Sequence, residues 1–493
     1  MSMKKIQLNT VFLLIALIFS GCQKNTPPPA PYGALPTERQ QEWHQLETYA
    51  FLHFTTNTFT DKEWGYGDES EEVFNPTDFD ADQIIGTLAK TGFKGAILTA
   101  KHHDGFCLWP SEFTEHSVKN SPWKDGKGDV VREISDACKK YGIKFGVYLS
   151  PWDRNYPDYG NEKYIEYYRN QLNELLTNYG DVFEVWFDGA NGGDGYYGGK
   201  RETRKIDRST YYKWDEVTDI VRELQPHAVI FSDAGPDLRW VGNEHGHAND
   251  SCWATYTPEP GEGETVAVAG TTKYKEGETG TQNGKLWMPA EVDVSIRPGW
   301  FYHASQDDKV KSLADLLDIY FHSVGNGTSL NLNIPPDRRG KIHEIDSLRL
   351  TEFHNYLTVA FSDNLLTGSQ ASAENVRGKA YAAAGTIDAN PESYWATKDD
   401  VLNSSIVYQL PENKKVNCVV LQEYIPLGQR IQNFKIEAFI NGNWQEAATG
   451  ATIGAKKIVR FTPVETKKIK IYFSGMACPA ISEVGAYLLP DIE

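Results

Sequence analysis

Between residues 36 and 345, short apolar runs alternate with stretches whose apolar positions recur every three or four residues. The runs at 49–54, 92–99, 144–150, 182–188, 228–233 and 286–292 predict strands, each short and mostly apolar, as parallel strands covered on both faces are. The stretches at 80–91, 130–141, 162–179 and 212–224 predict helices between them. Repeated strand–helix units over roughly 300 residues predict an α/β fold of the (β/α)8 barrel type. A doubly wound sheet is the alternative, but no glycine-rich phosphate loop follows the first strand. Polar residues gather at or just past the strand ends: His53, His102-His103-Asp104, Tyr148 with Trp152, Asp188 and Asp233. Barrels build their sites at that rim.

The pattern changes near Phe361. Segments 406–410, 417–423, 434–440, 456–461 and 468–473 alternate apolar and polar positions with turn signals between them, and Asn441-Gly442 before Trp444 marks a hairpin. This region predicts a small β-sandwich domain. The chain therefore divides into 1–21, 22–35, a barrel at 36–350 and a sandwich at 361–493.

The first segment has the form of a bacterial lipoprotein signal. Lys4 and Lys5 precede an apolar run too short to span a bilayer, then Ser20-Gly21-Cys22. Cys22 would become the lipidated first residue of a protein exported to the cell envelope, at the periplasm or outer membrane. Pro27-Pro28-Pro29 then reads as a stiff tether. A formal charge of −18 makes nucleic acid and anionic lipid poor partners, so membrane contact is expected through the lipid alone. Thirteen Trp and 26 Tyr fit a protein that stacks rings on sugar faces. Cys107, Cys138, Cys252, Cys418 and Cys478 are widely spaced, implying neither a disulfide framework nor a zinc knuckle, and read as small buried hydrophobes.

The candidate chemistry starts at Val185-Trp186-Phe187-Asp188-Gly189. Alternation along a strand puts Trp186 and Asp188 on one face, an aromatic plate beside a carboxylate. Glycoside hydrolysis in most families needs a second carboxyl group across the scissile bond, about 5–5.5 Å away in retaining enzymes. Two glutamates qualify: Glu244, in a Gly- and Asn-rich loop, and Glu291, within a strand and close to Arg297. His102 and His103, pointing oppositely on a strand, would make a poor metal pair and suit donation to sugar hydroxyls. His53 and Glu63-Trp64 read as further wall residues. No catalytic cofactor is implied.

These motifs resemble the α-L-fucosidases of glycoside hydrolase family 29. The resemblance rests on His53, Glu63-Trp64, His102-His103-Asp104-Gly105-Phe106, Tyr148-Leu149-Ser150-Pro151-Trp152 and Trp186-Phe187-Asp188-Gly189, in family order. It implies a retaining exo-enzyme with Asp188 as nucleophile and a fucose pocket lined by His53, His102, His103, Tyr148 and Trp186. Arg239-Trp240-Val241-Gly242-Asn243-Glu244 and the run from Trp287 to Trp300 resemble the subgroup restricted to α-1,3/1,4-linked fucose. That implies Glu244 as acid/base, fucosylated Lewis-type oligosaccharides as substrates, and Glu291, Asp293, Arg297 and Trp300 as further substrate contacts. The segment 192–208 reads as an extra loop. The C-terminal region resembles factor 5/8 type C (discoidin-like) domains, through the run from Thr386 to Thr397 and Ile481-Ser482-Glu483-Val484. This implies carbohydrate binding and a structural Ca²⁺ at Asp388, Asn390 and Glu483. The alternatives are a surface glycan-binding protein that has lost catalysis, and a retaining α-L-galactosidase.

Overall fold

The computed structural model describes residues 26–492; the expected signal segment and Cys22 lie outside them. Eight parallel strands are β1 (Thr48–Leu52), β2 (Gly95–Lys101), β3 (Lys144–Leu149), β4 (Val182–Trp186), β5 (Val229–Phe231), β6 (Arg239–Trp240), β7 (Ala290–Ser295) and β8 (Ser329–Asn333). They pair in the order β5-β4-β3-β2-β1-β8-β7-β6, and a single parallel bridge, Phe231 to Leu238, spans the gap between β5 and β6. The barrel is thus nearly closed. Alternation along each strand sorts two cores. Tyr49, Phe51, Ile97, Trp186 and Phe231 fill the barrel interior, while Ala50, Leu52, Ala96, Leu98 and Val185 face the helices.

Six helices cover the outside: α1 (Ala81–Lys90), α2 (Val130–Tyr141), α3 (Glu162–Asn178), α4 (Trp214–Leu224), α5 (Leu313–His322) and α6 (Glu344–Ala360). Helix α2 shows the local logic. The Asp129 carboxylate caps the Arg132 amide at 2.9 Å, Val130, Val131, Ile134, Ala137 and Cys138 form one buried stripe, and Gly142 ends the helix at φ +71°. The regular repeat lapses between β5 and β7. Only residues 232–238 separate β5 from β6, and a long excursion with no α-helix leads from β6 to β7. Helix α6 runs to Ala360, past the 350 boundary that the pattern suggested. A seven-residue helix, Glu38–His44, plugs the opposite end, with Gln40 donating to the carbonyls of Asp237 and Trp287.

The second domain is built on β9 (Gln370–Ala373), β10 (Trp395–Ala396), β11 (Asn403–Glu423), β12 (Ile431–Ile440), β13 (Asn443–Gly450), β14 (Lys457–Gly475) and β15 (Ala480–Tyr487). Strands β11 and β14 form one long antiparallel ribbon with register breaks at Gln409/Lys414 and Val416/Cys418. Its two halves share a core: Ile406 and Tyr408 from one half pack with Val419 and Leu421 from the other. That is a sandwich folded from a single ribbon.

The two domains are packed together, with Ile458 and Cys418 joining the helix-side core of the barrel. Backbone groups of the β6–β7 excursion are held from the second domain: Cys252 N donates to Thr452 Oγ1 at 2.8 Å, and Ala254 N to Gln429 Oε1 at 2.7 Å. The five cysteines named above are buried and unpaired.

Candidate active site

A pocket of about 330 Å³ opens at the C-terminal rim of the barrel. It brings together His53, Trp64, His102, His103, Tyr148, Trp186, Asp188, Glu244, Asp293 and Trp300, all singled out from the sequence. Phe51, Gly189, Ala190, Arg208, Phe231, Asp233, Trp240 and Tyr274 complete its lining.

Strand β4 ends at Trp186, and Asp188 follows immediately. The alternation carries through: Trp186 and Asp188 face the pocket, while Phe187 packs outward against Trp214. Asp188 Oδ2 accepts a hydrogen bond from Tyr148 Oη at 2.9 Å, and Oδ1 accepts one from the Ala190 amide at 2.6 Å. Burial raises the Asp188 pKa, and these two donors offset only part of that rise. The aromatic plate is layered. The Trp186 ring stacks on Phe231 at 4.2 Å and on Tyr148 at 5.3 Å.

Glu244 enters from the β6–β7 excursion. Its Oε2 lies 3.4 Å from Trp300 Nε1. Burial raises its pKa, the Trp300 contact opposes this, and the charges of Asp188 and Glu63 add to the rise. Two carboxyl groups of unlike environment therefore share one pocket: Asp188 is held by two hydrogen-bond donors, and Glu244 by one long contact beside the charges of Asp188 and Glu63.

The histidines work differently from the expectation. Strand β2 stops at Lys101 and the chain then turns, so His102 and His103 do not point to opposite faces. Their rings lie 4.1 Å apart and both line the pocket. Ser150 Oγ donates to the Trp152 carbonyl at 2.7 Å, so it accepts from His103 Nδ1–H at 2.7 Å. Asn333 Nδ2 donates to Ser295 Oγ and the Trp300 carbonyl, so its Oδ1 accepts from His53 Nδ1–H at 2.8 Å. Burial pushes both pKa values down to about 3. Each ring is thus neutral, with Nε2 unprotonated rather than the expected donor, and His103 Nε2 lies 3.7 Å from Asp188 Oδ2.

Three expected contacts lie elsewhere. Glu63 is absent from the pocket lining; its carboxylate takes the Trp300 amide at 2.7 Å and His303 Nε2 at 2.6 Å, so it fixes the Trp300 segment. Arg297 points away from the pocket and forms a buried ion pair with Asp346 at 2.8 Å and a half-buried one with Asp307 at 2.9 Å, tying the end of β7 to α6. Glu291, the alternative acid, lies inside the barrel beneath the pocket, fully buried. It accepts hydrogen bonds from Trp186 Nε1 at 2.8 Å, Asn331 Nδ2 at 3.0 Å and the Tyr49 hydroxyl. Glu291 and Arg297 do not pair, because β7 ends at Ser295 and Arg297, beyond it, turns to Asp346 and Asp307 while Glu291 stays inside the barrel.

Four lining residues of the rim were not proposed from the sequence as contacts: Arg208, Asp233, Trp240 and Tyr274. Asp233 carried a signal, its place at a strand end. Gly270 N and Thr272 Oγ1 donate to it at 2.8 and 2.6 Å, and burial raises its pKa to about 6. Arg208 comes from the extra loop, whose hairpin pairs Gly193–Gly195 with Glu202–Arg204. Trp64, 53% exposed, stands at the mouth against His103 and Trp152.

Residues 31–360 match the α-L-fucosidase family model, and residues 369–484 match the F5/8 type C domain. The chain is 40% identical over 470 residues to alpha-L-fucosidase 1 of Arabidopsis thaliana, covering 94% of this chain and 89% of the relative. Among solved structures, a putative alpha-L-fucosidase from Bacteroides thetaiotaomicron superposes with a TM-score of 0.84 at 42% identity, covering 94% of this chain and 99% of that one. A glycoside hydrolase family 29 fucosidase of Ruminococcus gnavus, solved in complex with fucose, superposes with a TM-score of 0.82 at 33% identity over 95% and 97% of the two chains.

Proposed function

The chain belongs to the α-L-fucosidase family of glycoside hydrolases, and from that premise we propose that it is a retaining exo-enzyme releasing α-1,3/1,4-linked L-fucose from Lewis-type oligosaccharides. Asp188 attacks the anomeric carbon as Glu244 protonates the departing glycosidic oxygen, leaving fucose esterified to Asp188. Glu244, now a carboxylate, then takes a proton from water; the water oxygen displaces Asp188 and fucose departs with net retention. The observation that carries this reading is the pairing, in one pocket, of Asp188, held by two hydrogen-bond donors, with Glu244, which the charges of Asp188 and Glu63 favour as an acid. The neutral His53 and His103 rings accept sugar hydroxyls, and the Trp186–Phe231 stack faces the apolar side of the sugar.

The extra loop supports the restricted linkage. Its Arg208 joins Trp240 and Tyr274 around the mouth, a polar and aromatic surface suited to a second sugar beyond the fucose. The test is fucose release from Lewis a and Lewis x trisaccharides, from an α-1,2-fucosylated lactose and from an L-galactoside. Release confined to the two Lewis sugars supports the reading. Binding without release would favour a glycan-binding protein, and preference for the L-galactoside a different glycosidase.

Two further proposals concern the rest of the chain. Export and lipidation at Cys22 rest on the sequence of the N-terminal segment. A structural Ca²⁺ at Asp388 and Glu483 is supported by Glu483 Oε1, buried without a hydrogen-bond partner, and by its pKa, raised to about 7 by burial and the Asp388 charge. Asn390 spends its side-chain oxygen on the Glu392 amide, which leaves it a weaker ligand.

A further inference from the structure

The loop that carries Glu244 folds back onto helix α5. Ala248 N donates to the His322 carbonyl at 2.9 Å, and Asn326 Nδ2 donates to the Ala248 carbonyl at 3.0 Å. Gly246 makes the approach at φ +91°, where a Cβ would lie 3.0 Å from Ile319. This docking delivers His247 to a pair of side chains one helical turn apart, Asp318 and His322. His247 Nε2 lies 3.0 Å from Asp318 Oδ2, His322 Nδ1 lies 3.1 Å from Oδ1 of the same carboxylate, and the two rings are 4.6 Å apart.

We propose that His247, Asp318 and His322 form a transition-metal site that takes Zn²⁺ or Co²⁺ and ties the Glu244 loop to α5. Each of the three brings a ligand atom within 4.8 Å of the other two. Ligands about 2.0–2.1 Å from a tetrahedral zinc stand about 3.4 Å from one another, so small side-chain rotations close the site around an ion, with water as the fourth ligand. Two imidazoles and one carboxylate favour a borderline metal over Ca²⁺ or Mg²⁺.

The local charge points the same way. Among the described residues no Lys or Arg lies within salt-bridge distance of Asp318; its partners are the two histidines. His322 Nδ1 also meets the Asp318 carbonyl at 2.9 Å, which holds the ring beside the carboxylate. Asn243 braces the loop from behind, donating to the His247 carbonyl at 2.8 Å. None of the three side chains lines the fucosidase pocket, so the site is separate from the chemistry and connected to it through the loop backbone from Glu244 to His247.

The test is titration of the chelator-treated full chain with Zn²⁺ by calorimetry and with Co²⁺ by visible absorption. One equivalent should bind, with the intense bands of a tetrahedral Co²⁺ centre. His247→Ala and His322→Ala should each weaken binding at least tenfold, and Asp318→Asn, close in shape, should do the same without disturbing the helix. His343→Ala disrupts the other histidine–carboxylate cluster, Asp337, His343 and Glu344, and should leave binding unchanged. Hydrogen exchange at residues 243–249 should slow when Zn²⁺ is added to the unaltered chain. No binding, binding that survives all three site variants, or binding lost in His343→Ala would overturn the site. Unchanged exchange in the loaded protein would overturn its role in holding the loop.

Discussion

The Tyr148 hydroxyl, at the end of one barrel strand, donates a 2.9 Å hydrogen bond to Oδ2 of Asp188, just past the end of the next. The bond joins the aromatic wall to the nucleophile and, by favouring the ionised form, offsets part of the rise that burial imposes on the carboxylate.

Tyr148→Phe keeps the ring stack and removes that donor. A hydrogen bond to a charged group contributes about 1.5–3 kcal/mol, so kcat/KM should fall by about 10- to 100-fold. The sign of the pH effect follows: losing a donor to the ionised form raises the Asp188 pKa, and the acidic limb of the pH–rate profile moves to higher pH. A profile that moves to lower pH would contradict this arrangement.

Glu244→Gln and Glu291→Gln should separate cleanly. Without its proton donor, the first should lose about 100-fold or more on Lewis-type sugars and far less on aryl fucosides with good leaving groups. The second perturbs the interior contacts to Trp186, Tyr49 and Asn331, so it should lower the melting temperature and show no leaving-group dependence. Rates across a series of aryl leaving groups decide it; leaving-group dependence in Glu291→Gln would exchange the two roles.

Much of the fold is legible because β1 to β4 are apolar runs with helices of clear period between them. Strand β8, Ser-Leu-Asn-Leu-Asn, is not, because its polar residues point into the barrel interior. Asn331 binds Glu291 there and Asn333 orients His53, so burial is satisfied by hydrogen bonds rather than by apolar side chains. Strand β6 is two residues long, too short for any periodicity. At the site, residues on or beside strand ends were recognisable by position. Arg297 misled because its charge stands near the pocket in sequence while its partner Asp346 comes from a helix of the outer layer.

That pair gives a stability prediction. Arg297 and Asp346 have no exposed side-chain surface, and removing one partner of a buried pair leaves the other uncompensated. Arg297→Ala should destabilise the chain by about 3–5 kcal/mol, measured by denaturant unfolding. A change under about 1 kcal/mol would show that the pair is not structural.

The second domain should be pH-sensitive. Burial and Asp388 raise Glu483 to about 7 in the folded state, above its ordinary 4.5. Between those values the unfolded chain gives up the proton first, so stability falls as pH rises through that window. In chelator, the melting temperature should be lower at pH 8 than at pH 5, less so for Glu483→Gln. Ca²⁺ at pH 8 should restore it for the unaltered chain and not for the variant. Equal rescue of both would place calcium elsewhere.

The most direct examination of the nucleophile is covalent trapping. A 2-deoxy-2-fluoro-α-L-fucosyl donor with a good leaving group forms the ester quickly and hydrolyses it slowly, so the adduct accumulates for peptide mapping by mass spectrometry. The mechanism derived from this pocket predicts one fluorofucosyl group on Asp188, absent in Asp188→Asn. A group found on another carboxylate, or turnover with no adduct and inversion at the anomeric carbon, would contradict it.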